Sequence, residues 1–110
     1  MTAKEYLQQI KKIDAIIKNK SFEIKQAEEI GADASFIKNE REQLQQTKQS
    51  IIADIQKLPE AEYDVLHKIY VQGETLYEVA SDRKTSYSLA ASIHGRALKM
   101  LESIMKNGKK

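Results

Sequence analysis

The sequence predicts an all-α protein, with an N-terminal antiparallel helical hairpin over residues 1–58 and a unit of shorter helices over 59–110. Three observations carry that prediction. Apolar residues recur at steps of three and four through nearly the whole chain, with almost no strand-like alternation. Four glycines and one proline leave few interruptions, and Leu, Ala, Lys, Glu and Gln, which favour helix, fill much of the rest. The breaks fall at Gly31, Pro59 and Gly73, dividing the chain into helices near 2–30, 34–57, 59–72, 75–82 and 86–105.

Each element has a local reason. Thr2 and Glu5 stand at capping-box spacing ahead of a seam that runs Tyr6, Ile10, Ile13, Ile17, Lys20, Ile24 and Ala27. Gly31 ends this helix, and Asp33 or Ser35 can cap the next, whose seam is Ile37, Arg41, Leu44, Lys48, Ile51, Ile55 and Leu58. Folding the two antiparallel brings Ile24 near Arg41, Ile17 near Lys48 and Ile10 near Ile55. Such a hairpin leaves half of each seam wet and Ile16, Phe22, Ile30 and Ile52 off it, so further burial is expected. A homo-oligomer built on Ile10, Ile13, Ile17, Ile24, Leu44, Ile51 and Ile55 supplies it. Packing against the C-terminal helices is the competing source.

Pro59 opens the third helix, and Thr75 with Glu78 forms a second capping box before the apolar face of Leu76, Val79 and Ala80. After Arg83-Lys84-Thr85, Ser86 is a fresh N-cap, and Leu89, Ala90, Ile93, Ala97, Leu98 and Leu101 recur at helical spacing. A short helix, a tight turn and a longer helix make the layout of a helix-turn-helix.

The residues from Leu58 to Leu101 resemble the fourth conserved region of bacterial sigma factors. Leu58-Pro59, Tyr70 with Gly73, Thr75-Leu76, Glu78-Val79-Ala80, Ser86, Ile93 and Arg96-Ala97-Leu98 with Leu101 follow that pattern without a gap, with Ala90 in place of a valine. The ending Ile93-His94-Gly95-Arg96-Ala97-Leu98 and the opening Met1-Thr-Ala-Lys-Glu-Tyr-Leu are similar to small phage and prophage regulators that join a helical hairpin to a sigma-like half. The resemblance implies a transcriptional regulator acting on double-stranded promoter DNA, with RNA polymerase as a further partner. Two departures stand out. The family's L-G-x turn is Arg83-Lys84-Thr85 here, which replaces an apolar plug by a cation and a φ-permissive glycine by lysine, so the turn is expected to be remodelled. The recognition positions Tyr87, Ser88, Leu89, Ala91 and Ser92 offer no bidentate guanine contact. A protein-interaction module that has lost DNA and binds a polymerase subunit or a phage protein is therefore the second reading.

Charge divides at the same turn. Residues 59–82 set Lys68 against Glu60, Glu62, Asp64, Glu74, Glu78 and Asp82, a net of −5. Residues 83–110 set Arg83, Lys84, Arg96, Lys99, Lys106, Lys109 and Lys110 against Glu102, a net of +6. A basic helix beside an acidic one steers towards phosphate, and it also serves as an ordinary solvated helix end. The expected DNA face is Arg83, Lys84, Ser86, Tyr87, Ser88, Arg96 and Lys99, with Arg96 open to pairing with a scaffold carboxylate such as Glu78. His94 either reaches a phosphate or makes a core contact, and Gly95 is expected to permit a close helix crossing or backbone approach.

At 110 residues, 41% hydrophobic and 31% charged, the chain can bury one modest core or two small helical units and not a large catalytic domain. It has no cysteine, no apolar run near the roughly 20 residues of a membrane span, and no signal-peptide core. Cytoplasmic location without a membrane partner is the expectation. His67 and His94 lack accompanying ligands at metal spacing, the carboxylates are spread over solvated faces, and there is no phosphate loop or nucleophile elbow. No enzyme activity, catalytic residue, metal or cofactor is expected.

Overall fold

A computed structural model describes residues 1–107, which are mostly helical, with no strand among them. The helices are α1 (Ala3–Glu29), α2 (Ser35–Ile55), α3 (Glu60–Leu66) with a π-helical continuation over His67–Val71, α4 (Leu76–Asp82) and α5 (Tyr87–Asn107). No helix is long and apolar enough to cross a membrane among the described residues.

The starts of the helices follow the local code. Thr2 accepts the Glu5 N–H through its hydroxyl while the Glu5 carboxylate accepts the Thr2 N–H, and Thr75 and Glu78 do the same for α4. Asp33 caps α2 from one residue outside the N-cap, its Oδ1 accepting from the Ser35 N–H and hydroxyl, which hold its carboxyl below the usual range. The Ser86 hydroxyl accepts the Leu89 N–H and starts α5.

Helix ends are closed by left-handed residues. Gly31, at φ +73°, ends α1, with Ala32 N–H donating to Ala27 and Gly31 N–H to Glu28. The end of α4 repeats this motif: Thr85 N–H donates to Ala80, Lys84 N–H to Ser81, and Lys84 itself takes φ +55°. The turn at Arg83-Lys84-Thr85 thus closes in the same way as the one at Gly31. A lysine occupies the glycine conformation, at a cost of about 1 kcal/mol.

Helices α1 and α2 run antiparallel, and the cations in their seams reach polar groups about one turn from the apolar neighbours expected for them. Lys48 pairs with Asp14 at 2.7 Å, Arg41 donates to Ser21 and Lys20 pairs with Glu40. Towards the termini Tyr6 donates to Asp54 at 2.6 Å. The main core joins Ala3, Leu7, Ile10 and Ile13 of α1 with Ile51 and Ile55 of α2, Leu66 of α3, and Ala97 and Leu101 of α5. The expected division at residue 58 falls between α2 and α3, and this core crosses it. A second cluster, Val65, Val79 and Ile93, binds α3, α4 and α5 together.

The helix expected over 59–72 contains an irregularity with no sequence signature. Gln72 N–H donates to His67 and Glu74 N–H to Lys68, a widened turn that delivers the chain to Gly73 at φ +76°.

Candidate functional site at the turn between α4 and α5

The seven residues expected to form a DNA face separate into two groups. Arg83 is turned back onto α3, its Nη1 2.7 Å from Asp64 Oδ2 and 3.2 Å from Glu60 Oε1, and these carboxylates raise its pKa above the ordinary arginine value. The Arg83 cation thus joins the end of α4 to α3 by charge. Arg96 likewise donates through Nε and Nη2 to Glu62 Oε1, at 3.2 and 3.0 Å. Its scaffold partner is Glu62 rather than Glu78. Glu62 is only 6% exposed, and its Oε2 has no hydrogen-bond partner. Both arginines, expected at a phosphate, here tie α3 to the end of α4 and to α5.

The other five lie at the surface. Lys84 and Lys99 are exposed and, with Lys106, make no ion pair among the described residues. Ser86 uses its hydroxyl for the α5 cap, and Ser88 is exposed beside it. Tyr87 packs against Tyr77, with ring centroids 4.5 Å apart, and both rings remain accessible, as does Leu89 at 50% exposure. Sequence reasoning missed Tyr77, whose partner lies across the turn.

The exposed side of α5 is smooth. Ser88, Ser92 and Gly95 are exposed, and a Cβ built on Gly95 meets nothing within 4 Å. The close internal crossing expected of Gly95 is absent. His94 is half-buried, its Nε2 2.9 Å from the Tyr70 hydroxyl, and burial together with the nearby Lys4 lowers its pKa below the ordinary imidazole value. This is a packing contact between α5 and the π turn. Burial raises the Tyr70 pKa.

On the acidic side, Glu74 and Asp82 face each other near Lys68. The neighbouring Asp82 carboxylate, together with burial, raises the Glu74 pKa, and Lys68 opposes the shift. No group of three or more His, Cys, Asp or Glu side chains suited to a metal occurs among the described residues. A cleft of about 620 Å³ between α1 and the π turn is lined by Leu7, Lys11, Ile69, Tyr70 and Gln72, without a gathered acid, base and nucleophile.

The residues expected to drive oligomerisation are used inside the chain. Ile10, Ile13, Ile24, Ile51 and Ile55 are buried, and Ile17 and Leu44 pack against the main core. Among the off-seam residues Ile52 also packs there, whereas Ile16, Phe22 and Ile30 are exposed, as is Phe36.

Comparison with family profiles, curated proteins and solved structures finds no match to this chain.

Proposed function

We propose that the chain is a DNA-binding transcriptional regulator of phage type and not an enzyme. On this reading α1 and α2 form a helical hairpin serving assembly, and α3 to α5 form a sigma factor region 4-like helix-turn-helix that lays α5 on promoter DNA. RNA polymerase is a further partner in the cytoplasm. Since the α1 and α2 seams are taken up by the core, a homo-oligomer would use the exposed Phe22, Ile30 and Phe36.

The observation that carries the DNA reading is a pair of locally unfavourable residues on the exposed surface of one unit. Lys84 holds φ +55°, and Gly95 sits within a 21-residue helix where a methyl would meet nothing. Each costs about 1 kcal/mol, and neither residue makes a side-chain hydrogen bond or ion pair among the described residues that would call for it. A cation projecting from the turn and a bare strip of helix backbone are what close approach to a phosphate-flanked groove requires.

Fluorescence anisotropy with random labelled duplex at several salt concentrations tests this. Lys84→Ala and Lys99→Ala should weaken binding to all duplexes and reduce the log–log salt slope by up to about 0.9 for each phosphate no longer neutralised. Affinities equal to wild type, or no binding at low salt, would refute it. A protein-interaction module is the second reading, favoured by the engagement of Arg83 and Arg96 with α3 carboxylates. That engagement leaves Lys84, Lys99 and Lys106 as the described cations of this unit available to phosphate.

A further inference from the structure

The cleft between the first half of α1 and the π turn, at about 620 Å³, lies within the range of roughly 300–1,000 Å³ that small-molecule sites occupy. Its lining includes the fully buried Leu7 and the half-buried Ile69 and Val71, all aliphatic. Tyr70 adds an aromatic ring, its hydroxyl being engaged 2.9 Å from His94 Nε2. One wall is the His67–Val71 turn itself, and π-helical turns are rare and concentrate at functional sites.

Charge gives the cleft a sign. Lys11 and Lys12 both line it, both are exposed, and neither makes an ion pair among the described residues. Asp14, the carboxylate among the described lining residues, is held by Lys48 at 2.7 Å, so its charge is offset from within the hairpin. Gln8 and Gln72 bring amide donors to the same opening. Aliphatic side chains beside two unpaired ammonium groups match a molecule with a hydrocarbon body and one anionic end. A phosphodiester backbone would leave the aliphatic lining unused, and a cationic amphiphile would meet the lysines with like charge. We infer that this cleft binds a small organic anion, a monocarboxylate on an aliphatic chain of medium length, with its carboxylate at Lys11 and Lys12 and its chain against Leu7, Ile69 and Val71. Occupation of the cleft requires no contact between α5 and DNA.

Octanoate titrated into the full chain and followed by two-dimensional amide NMR tests this, with butanoate and octylamine as comparisons. Octanoate should bind saturably and shift the amides of residues 7–14 and 69–73, leaving those of the hairpin tip around Gly31 in place. A fully buried methylene is worth about fourfold in affinity, so even partial burial of the longer chain should make butanoate at least about tenfold weaker. Octylamine, equal in length and opposite in charge, should not produce these shifts at the same concentration. A Lys11→Gln, Lys12→Gln double variant changes only exposed side chains and should fold as wild type, bind octanoate about fivefold more weakly and lose most of the salt dependence of binding. Absence of saturable shifts at millimolar octanoate, an equal response to octylamine, butanoate as tight as octanoate, or an affinity unchanged in the double variant would each overturn the inference. No DNA enters these measurements, so their outcome and that of the duplex titrations are independent.

Discussion

Arg96→Ala tests more sharply than any other single substitution whether Arg96 serves the scaffold or the proposed DNA contact. The wild-type guanidinium places two N–H groups on Glu62 Oε1, at 3.2 and 3.0 Å, while Glu62 is 6% exposed and its Oε2 has no partner. Truncation removes both bonds and strands a carboxylate among packed helices. A fully buried pair broken in this way costs about 3–5 kcal/mol. The Arg96 side chain is 56% exposed, so water can reach part of the site and the expected loss is lower, about 2–3 kcal/mol. With a urea slope of about 1–2 kcal/mol per molar, the unfolding midpoint should fall by on the order of 1 M or more. Thermal unfolding should shift by roughly 10 °C. Adding Glu62→Gln replaces the stranded charge by a neutral amide and should restore more than half of the loss, whereas that rescue has no reason to occur if Arg96 acts on phosphate. The assay is urea unfolding followed by circular dichroism for wild type, both single variants and the double variant. An Arg96→Ala protein as stable as wild type, with DNA binding selectively lost, would refute the reasoning.

Gly95→Ala should raise stability by about 0.5–1 kcal/mol, because helix propensity improves and the new methyl meets nothing, while weakening duplex binding; parallel urea and anisotropy titrations read the two effects. Glu74→Gln should raise the unfolding midpoint at neutral pH. The raised Glu74 pKa means that the folded state takes up a proton more readily, so its contribution is fully present below the ordinary carboxylate range and is lost as pH rises through the shifted value; the gain should vanish near about pH 4. His94 has the opposite sign: its pKa is lowered in the fold, so stability is full above the ordinary value of about 6.5 and declines as pH falls through the lowered one. His94→Gln should flatten that decline in midpoints measured from about pH 7.5 to about pH 5.

The part of the fold legible in the sequence is the part written within a few residues. The capping boxes at Thr2 and Thr75, the stop at Gly31 and the Ser86 start each rest on bonds spanning three to five positions. The conformation of Lys84 is not legible in this way, because the steric penalty of φ +55° is local whereas the packing of Val79 and Ile93 and the Arg83 pairs that outweigh it are not. The π turn is invisible for a related reason: His67–Val71 differs from ordinary helix only in which carbonyl each N–H reaches. The candidate site is least legible where charge is concerned. A net of +6 over 83–110 treats every cation as free, yet Arg83 meets a carboxylate 19 residues away and Arg96 one 34 residues away. Folding thus converts the arginines, the residues best suited to two-pronged contact, into ties between helices. Lys84 and Lys99, by contrast, stay exposed and make no ion pair among the described residues. Between the exposed Lys84 and Lys99 the exposed large side chains are Leu89 and Tyr87, the latter packed on Tyr77 across the turn, a pairing that no local sequence signal announces.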